Sequence, residues 1–339
     1  MITKAIDRRT VATALALALS MGTAHAQDVA PAIVFDMGGK FDKSFNEAAY
    51  NGAERFKRET NIQYREFEIT NEGQREQALR NMARRGATVV VAVGFSQRSA
   101  VERVAPEFPQ VKFSMIDSVV DLPNVQSTLF REHEGSFLVG VAAALATKSN
   151  RVGFVGGMDI PLIRSFGCGY VQGVRSVNPQ IEIVQNMTGT TPAAFRDPTR
   201  GGELARSQFD RGADVIYAAA GATGLGVMQA ARDAGRFAIG VDSNQNHLHP
   251  GTVLTSMLKR VDVAVFNAFR TAQNNTWTAG TTVLGLKEEG VGWALDEHNR
   301  RLITPEMETR INAARDQIIA GTLQVVDSRT LDGGNCPVR

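Results

Sequence analysis

The chain has 339 residues, with 37 Lys and Arg against 35 Asp and Glu, and is 43% hydrophobic and 21% charged. A balance this close to zero gives no field to draw in nucleic acid or an anionic membrane surface. The length is too great for one small core and suits two domains of ordinary globular composition.

The first segment reads as a leader. Lys4, Arg8 and Arg9 precede an apolar run from Val11 to Leu19, and Ala24-His25-Ala26 follows as a small-x-small cleavage signal. That is the three-part layout of a secretory signal peptide, and the run is too short to span a bilayer. Cleavage is expected after Ala26, and Arg8-Arg9 leaves the twin-arginine route open. Removing Lys4, Arg8 and Arg9 from the 37 basic residues and Asp7 from the 35 acidic ones leaves 34 of each sign. The first cysteine is Cys168, so a periplasmic protein without a lipid anchor is expected. Cys168 and Cys336 could pair in an oxidising compartment, or stay as two separate thiols; spacing does not decide.

Beyond the leader, short apolar runs alternate with helical patterns. Strands are predicted at 32–37, 63–69, 88–94, 112–116, 125–130, 151–156, 182–187, 214–219, 237–241 and 253–258. Alternation of this kind implies βαβ units and parallel sheets. Val89-Val90-Val91-Ala92-Val93 is apolar throughout, as expected for a strand covered on both faces. Ser44-Phe45-Asn46-Glu47 reads as a capping box that opens the first helix.

The second half repeats the first. Arg85-Gly86-Ala87 leads an apolar strand that ends at Gly94, and Arg211-Gly212-Ala213 leads one that ends at Gly221. Phe113-Ser114-Met115-Ile116-Asp117-Ser118 is echoed by Phe237-Ala238-Ile239-Gly240-Val241-Asp242-Ser243. Two similar α/β lobes, each a doubly wound parallel sheet, account for this order. Ligands of such sheets sit beyond the carboxyl ends of the strands. Asp36, Ser96 and Asp117 stand there in the first half, and Gly221 and Asp242 in the second. Facing lobes would bring these ends to one cleft, although a strand-end carboxylate can equally cap a turn.

No catalytic set emerges. Gly-x-Ser-x-Gly and His-Glu-x-x-His are absent, and Gly38-Gly39 lacks the lysine and spacing of a phosphate loop. His247-Leu248-His249 could grip a metal weakly, but reads better as a polar loop. The expectation is a binding protein without cofactor or metal, not an enzyme.

The phrase Val34-Phe35-Asp36-Met37-Gly38-Gly39-Lys40-Phe41-Asp42-Lys43-Ser44-Phe45-Asn46 resembles the opening signature of the basic membrane protein family. That family includes the purine nucleoside receptors of bacterial ABC importers. The resemblance continues through Phe130-Arg131-Glu132-His133-Glu134-Gly135, Gly156-Gly157-Met158-Asp159, Val241-Asp242-Ser243-Asn244-Gln245 and Thr255-Ser256-Met257-Leu258-Lys259-Arg260. It implies a type I periplasmic-binding fold with three crossovers between two lobes. We place 27–131 with 246–280 in the first lobe, and 132–245 with 281–339 in the second. By the same resemblance, Phe45 and Phe166 sandwich a base, and Asn46 and Asp117 bond its edge. Asp242 and Lys259 hold ribose hydroxyls, Gly221 gives a backbone contact, and Asp36 lies at the cleft floor. The residue types suit those tasks. Aromatic faces stack on bases, an amide offers donor and acceptor, and a carboxylate accepts from two hydroxyls. Phe45 could also be a staple or core residue, and Lys259 a solvated residue past its strand. The implied protein is a monomer that passes a nucleoside to an inner-membrane ABC permease. The competing readings are a secreted nucleoside-processing enzyme and a sensor subunit that presents its ligand to a membrane receptor.

Overall fold

The computed structural model describes residues 29–336. The expected leader therefore lies outside the described residues. Along the chain the elements are β1 (Pro31–Phe35), α1 (Phe45–Thr60), β2 (Arg65–Glu68), α2 (Arg75–Arg84), β3 (Val89–Ala92), α3 (Arg98–Val104), β4 (Lys112–Ile116) and β5 (Val125–Phe130). The next eight are α4 (Glu132–Ala146), β6 (Arg151–Met158), α5 (Pro161–Val177), β7 (Glu182–Gly189), α6 (Pro198–Asp210), β8 (Val215–Ala219), α7 (Gly224–Asp233) and β9 (Phe237–Asp242). The chain then runs through β10 (Val253–Lys259), α8 (Val261–Gln273), β11 (Gly280–Leu284), β12 (Val291–Trp293) and α9 (Pro305–Ile319).

Two six-stranded sheets form, in the orders β11-β5-β4-β3-β1-β2 and β12-β10-β9-β8-β6-β7. Remove the first strand of each and the orders superpose strand for strand, as the internal repeat requires. Each pairing is parallel except the antiparallel β10–β12 pair. The central strands β1, β3 and β8 are buried at every position, so their side chains are covered on both faces.

The chain passes between lobes after β5, after β10 and after β11. Two expected boundaries therefore move. β10 belongs to the second sheet, so the return to the first lobe comes at α8 and not at 246. β11 pairs with β5 and extends the first lobe past 280. Strands β11 and β12 have no counterpart among the predicted ones: β11 is exposed over most of its length and β12 spans three residues, so neither carries a core pattern.

The capping box at Ser44 is also corrected. Ser44 precedes α1 but makes no capping bond with its side chain. Asp42 does that work: its carboxylate accepts from the backbone N–H groups of Ser44, Asn46 and Glu47, at 2.8–3.1 Å. Helices α4 and α5 touch backbone to backbone, since a Cβ added at Gly169 would fall 2.2 Å from the His133 carbonyl oxygen. That close approach fixes α5, whose N-terminal half faces the gap between the lobes. Cys168 of α5 is disulfide-bonded to Cys336, with Cα atoms 5.3 Å apart.

Candidate functional site

Asp36 and Asp117 immediately follow β1 and β4, Asp242 and Lys259 end β9 and β10, and Gly221 lies just past β8. Phe45 and Asn46 open α1, and Phe166 sits in the second turn of α5. All eight, with both lobes contributing, line one cavity. Asp117 and Asp242 occupy equivalent places in the repeat and share a rare backbone shape, with φ at 68° and 63°. Few residues besides Gly, Asn and Asp accept the left-handed region at low cost. The turn aims both carboxylates into the cavity.

Lys259 is 2% exposed. Its Nζ lies 2.7 Å from Asp117 Oδ2 and 3.1 Å from Glu132 Oε1. It also lies 5.0–5.6 Å from the ring centres of Phe45, Phe130 and Phe166. Burial works against this charge, but Asp117, Glu132 and Asp242 outweigh it and hold the pKa above the ordinary lysine value. Burial pushes Asp117 up to about 6, against the pull of Lys259. Burial also raises Asp242, which accepts from Ser44 Oγ at 2.5 Å, and pushes Asp42 up to about 7. Asp36 is raised by burial, opposed by a bond from Ser96 Oγ at 2.7 Å. The cavity thus gathers acceptors around a single buried ammonium.

Asn46 is placed differently from a free recognition amide. Its Oδ1 accepts from the Asp36 N–H at 3.1 Å and its Nδ2 donates to the Asp36 carbonyl at 3.2 Å. This bond pair pins β1 to α1 and leaves one Nδ2 hydrogen for the cavity. Sequence reasoning missed Phe95 and Phe195, which line the cavity and meet across the cleft with ring centres 6.4 Å apart. Neither carries a local signal, since each sits in a one-turn helix. It also missed Asp42 and Glu132, both inside the quoted signature phrases. His247 and His249 stand outside the group of possible metal ligands among the described residues, which is the consecutive trio Asp296, Glu297 and His298. Among the described residues no helix is long and apolar enough to cross a membrane.

The family model for "ABC transporter substrate-binding protein PnrA-like" matches residues 30–329. The chain belongs to this family. Within it, the "ABC transporter nucleoside-binding protein BmpA" of Lactococcus lactis is 32% identical over 88% of this chain and 89% of its own. An uncharacterised lipoprotein of Pyrococcus abyssi is 36% identical over 80% and 70%. A solved ABC transporter solute-binding protein of Aeropyrum pernix superposes with a TM-score of 0.81 at 31% identity, covering 88% of this chain and 93% of that one. The fold is that of the two-lobed periplasmic binding proteins. As a member of the PnrA-like family, the chain is an extracytoplasmic substrate-binding protein of an ABC transporter. Its family consists of solute-binding proteins, not enzymes.

Proposed function

We propose that the solute is a nucleoside, held between Phe45 and Phe166 with its ribose on Asp242 and Lys259. The observation that carries this reading is the acceptor-rich cavity bounded by aromatic rings: Asp117 and Asp242 flank Lys259, and Phe45 and Phe166 lie within 5.6 Å of its ammonium. Carboxylates left over after one lysine ask for a ligand rich in N–H and O–H donors. Flat rings ask for a flat, apolar face. A nucleoside supplies both, through its ribose diol and its base. An added phosphate would meet Asp117 and Asp242 and be repelled. The name of the Lactococcus relative supports the same class. In this reading Asp117 and the spare Asn46 hydrogen meet the base edge, the Gly221 backbone closes over the ligand, and Asp36 braces the floor through Ser96.

The protein then serves its permease as a monomer. Both cysteines are held in one disulfide, so a form free in the periplasm is part of the proposal, tested by cell fractionation. The binding reading is tested by denaturing the purified protein, identifying the released solute by mass spectrometry, and titrating the refolded protein with inosine, adenosine, cytidine and hypoxanthine. Saturable one-to-one binding of ribosides is expected. No binding to any of them removes the nucleoside and leaves the family assignment standing.

A further inference from the structure

Behind the cavity lies a second charged layer that the proposed contacts do not use. Glu132 is fully buried at the first turn of α4, at the first crossover between lobes. Its Oε1 lies 3.1 Å from Lys259 Nζ and its Oε2 lies 3.0 Å from an Arg329 nitrogen. Lys259 is the last residue of β10, at the second crossover. Arg329 also donates to the Phe130 carbonyl at 3.0 Å, at the end of β5 in the first lobe, and pairs with Asp327 at 2.8 Å. His133 Nδ1, the next residue along α4, lies 3.6 Å from Asp327. Carboxylate and cation therefore alternate from Asp117 through Lys259, Glu132 and Arg329 to Asp327. The chain of charges starts in the ligand cavity and ends beside the crossovers on which the lobes must turn.

The segment that carries Arg329 is tied down independently. Val326 exchanges two hydrogen bonds of 2.9 Å with the Gln172 side chain, and Ser165 Oγ donates to Asp327 at 3.1 Å. The Cys168–Cys336 disulfide closes the far end. Gln172, Ser165 and Cys168 all belong to α5, the helix that presents Phe166 to the cavity. The C-terminal segment is thus locked to one wall of the site while its arginine reaches the hinge.

We propose that Arg329 and Glu132 form a hinge latch: by holding Glu132, Arg329 positions the Lys259 ammonium on Asp117 across the cleft and couples solute binding to lobe closure. The latch rests on the site described above, not on which solute fills it. With Arg329 in place, Glu132 has a cation on each carboxylate oxygen, so Lys259 stays shared with Asp117. Without Arg329, Lys259 is the remaining cation for a fully buried carboxylate, and it is drawn off Asp117 toward Glu132. The pair that joins β4 of the first lobe to β10 of the second is then weakened, and so is the bridge from Arg329 to Phe130. Ligand binding and closure should separate.

The test compares the wild type with Arg329→Gln, Arg329→Lys and the double variant Glu132→Gln/Arg329→Gln, all with the disulfide intact. Three readouts are needed: the radius of gyration of the ligand-free protein by X-ray scattering, inosine affinity by calorimetry, and the melting temperature. Arg329→Gln should shift the ligand-free protein toward a more open, larger form. It should also weaken inosine by about 5- to 150-fold, the range of ordinary coupling between sites. Arg329→Lys should recover part of both. The double variant, which removes the stranded carboxylate with its partner, should recover most of the affinity. An unchanged scattering profile in Arg329→Gln overturns the latch, whatever the solute. Equal loss of affinity and melting temperature in single and double variants also overturns it, because a purely structural segment behaves that way. If the wild type binds no inosine, the nucleoside reading fails while the scattering comparison still decides the latch.

Discussion

Replacing Asp242 by Asn tests the proposed ribose contact with little collateral damage. Asp242 has φ at 63°, where Ala would add backbone strain to a lost contact, whereas Asn is tolerated there. Asn also keeps the shape and an oxygen to accept from Ser44 Oγ, so the lobe contact at 2.5 Å can persist. What disappears is the charge. Hydrogen bonds to a charged acceptor contribute about 1.5–3 kcal/mol and neutral ones about 0.5–1.5. The difference for a ribose hydroxyl is about 1–1.5 kcal/mol, or about 5- to 13-fold in Kd. A free base has no ribose and should lose little. Calorimetric titration of wild type and variant with inosine and hypoxanthine measures both, and the melting temperature of the ligand-free variant checks the fold. Equal inosine affinity in the two proteins refutes the ribose contact. Equal weakening of inosine and hypoxanthine shows that Asp242 acts on the whole cleft rather than on the sugar.

Phe45→Ala or Phe166→Ala should weaken all nucleosides alike by about 1–3 kcal/mol, because stacking ignores base identity; a loss confined to one base would contradict the sandwich. The Asp42 carboxyl is raised from 3.8 to about 7, so between those values the folded state binds the proton that the unfolded chain has lost. Stability from this group is therefore greatest at acid pH and falls as pH rises toward 7, and Asp117, raised to about 6, acts in the same direction. The ligand-free protein should melt higher near pH 5.5 than near pH 8, and a melting temperature that rises across that interval counts against the raised values. The disulfide closes a sequence separation of 168 residues, for which chain-entropy models give about 5 kcal/mol; free-thiol counting on unfolded, unreduced protein should find no reactive thiol.

The parts of the fold legible in the sequence were those with a periodic or compositional mark. Most of the ten predicted strands announce themselves as apolar runs because both faces of the sheet are covered there; the edge strands β2 and β7 are largely unburied and carry a weaker mark. The repeat announces itself because both lobes build the same strand order. Strands β11 and β12 lack that mark: Gly280-Thr281-Thr282-Val283-Leu284 packs little of itself into a core and reads as loop. The crossovers leave no trace in composition, since β10 looks the same whichever sheet it joins. Ser44 shows how a local rule loses to a distant partner. Ser-x-x-Glu predicts a cap, but the Ser44 hydroxyl is taken by Asp242, 198 positions away, and Asp42 caps the helix in its place. Asp36, Asp117, Gly221, Asp242 and Lys259 came together because strand ends converge in this architecture, whereas Phe45, Asn46 and Phe166 stand on helices and were named through the family resemblance. Glu132, Arg329, Phe95 and Phe195 were missed because their importance depends on which lobes and crossovers meet.

The distribution of charge also explains why closure should await a ligand. Protein groups join the lobes directly: Ser243 Oγ donates to the Ser44 carbonyl at 2.8 Å, Gln245 Nε2 to the Lys43 carbonyl at 2.9 Å, and Lys259 to Asp117. Those bonds favour closing. Against them stand carboxylates from both lobes brought into one buried space, with Asp117 and Asp242 both raised by burial. Asp117 Oδ1 is buried and has no hydrogen-bond partner among the protein's described atoms. A buried acceptor left unpaired costs about 1–3 kcal/mol. A solute that donates to Asp117 and Asp242 relieves this cost only when both lobes surround it, since Asp117 belongs to the first and Asp242 to the second. Its affinity for the closed form then exceeds that for the open form, which is the condition for a ligand to drive closure. An anionic solute would add to the cost instead of relieving it. In the proposed reading, the carboxylates that would hold a donor-rich ligand thus also set the sign of the charge the cleft rejects.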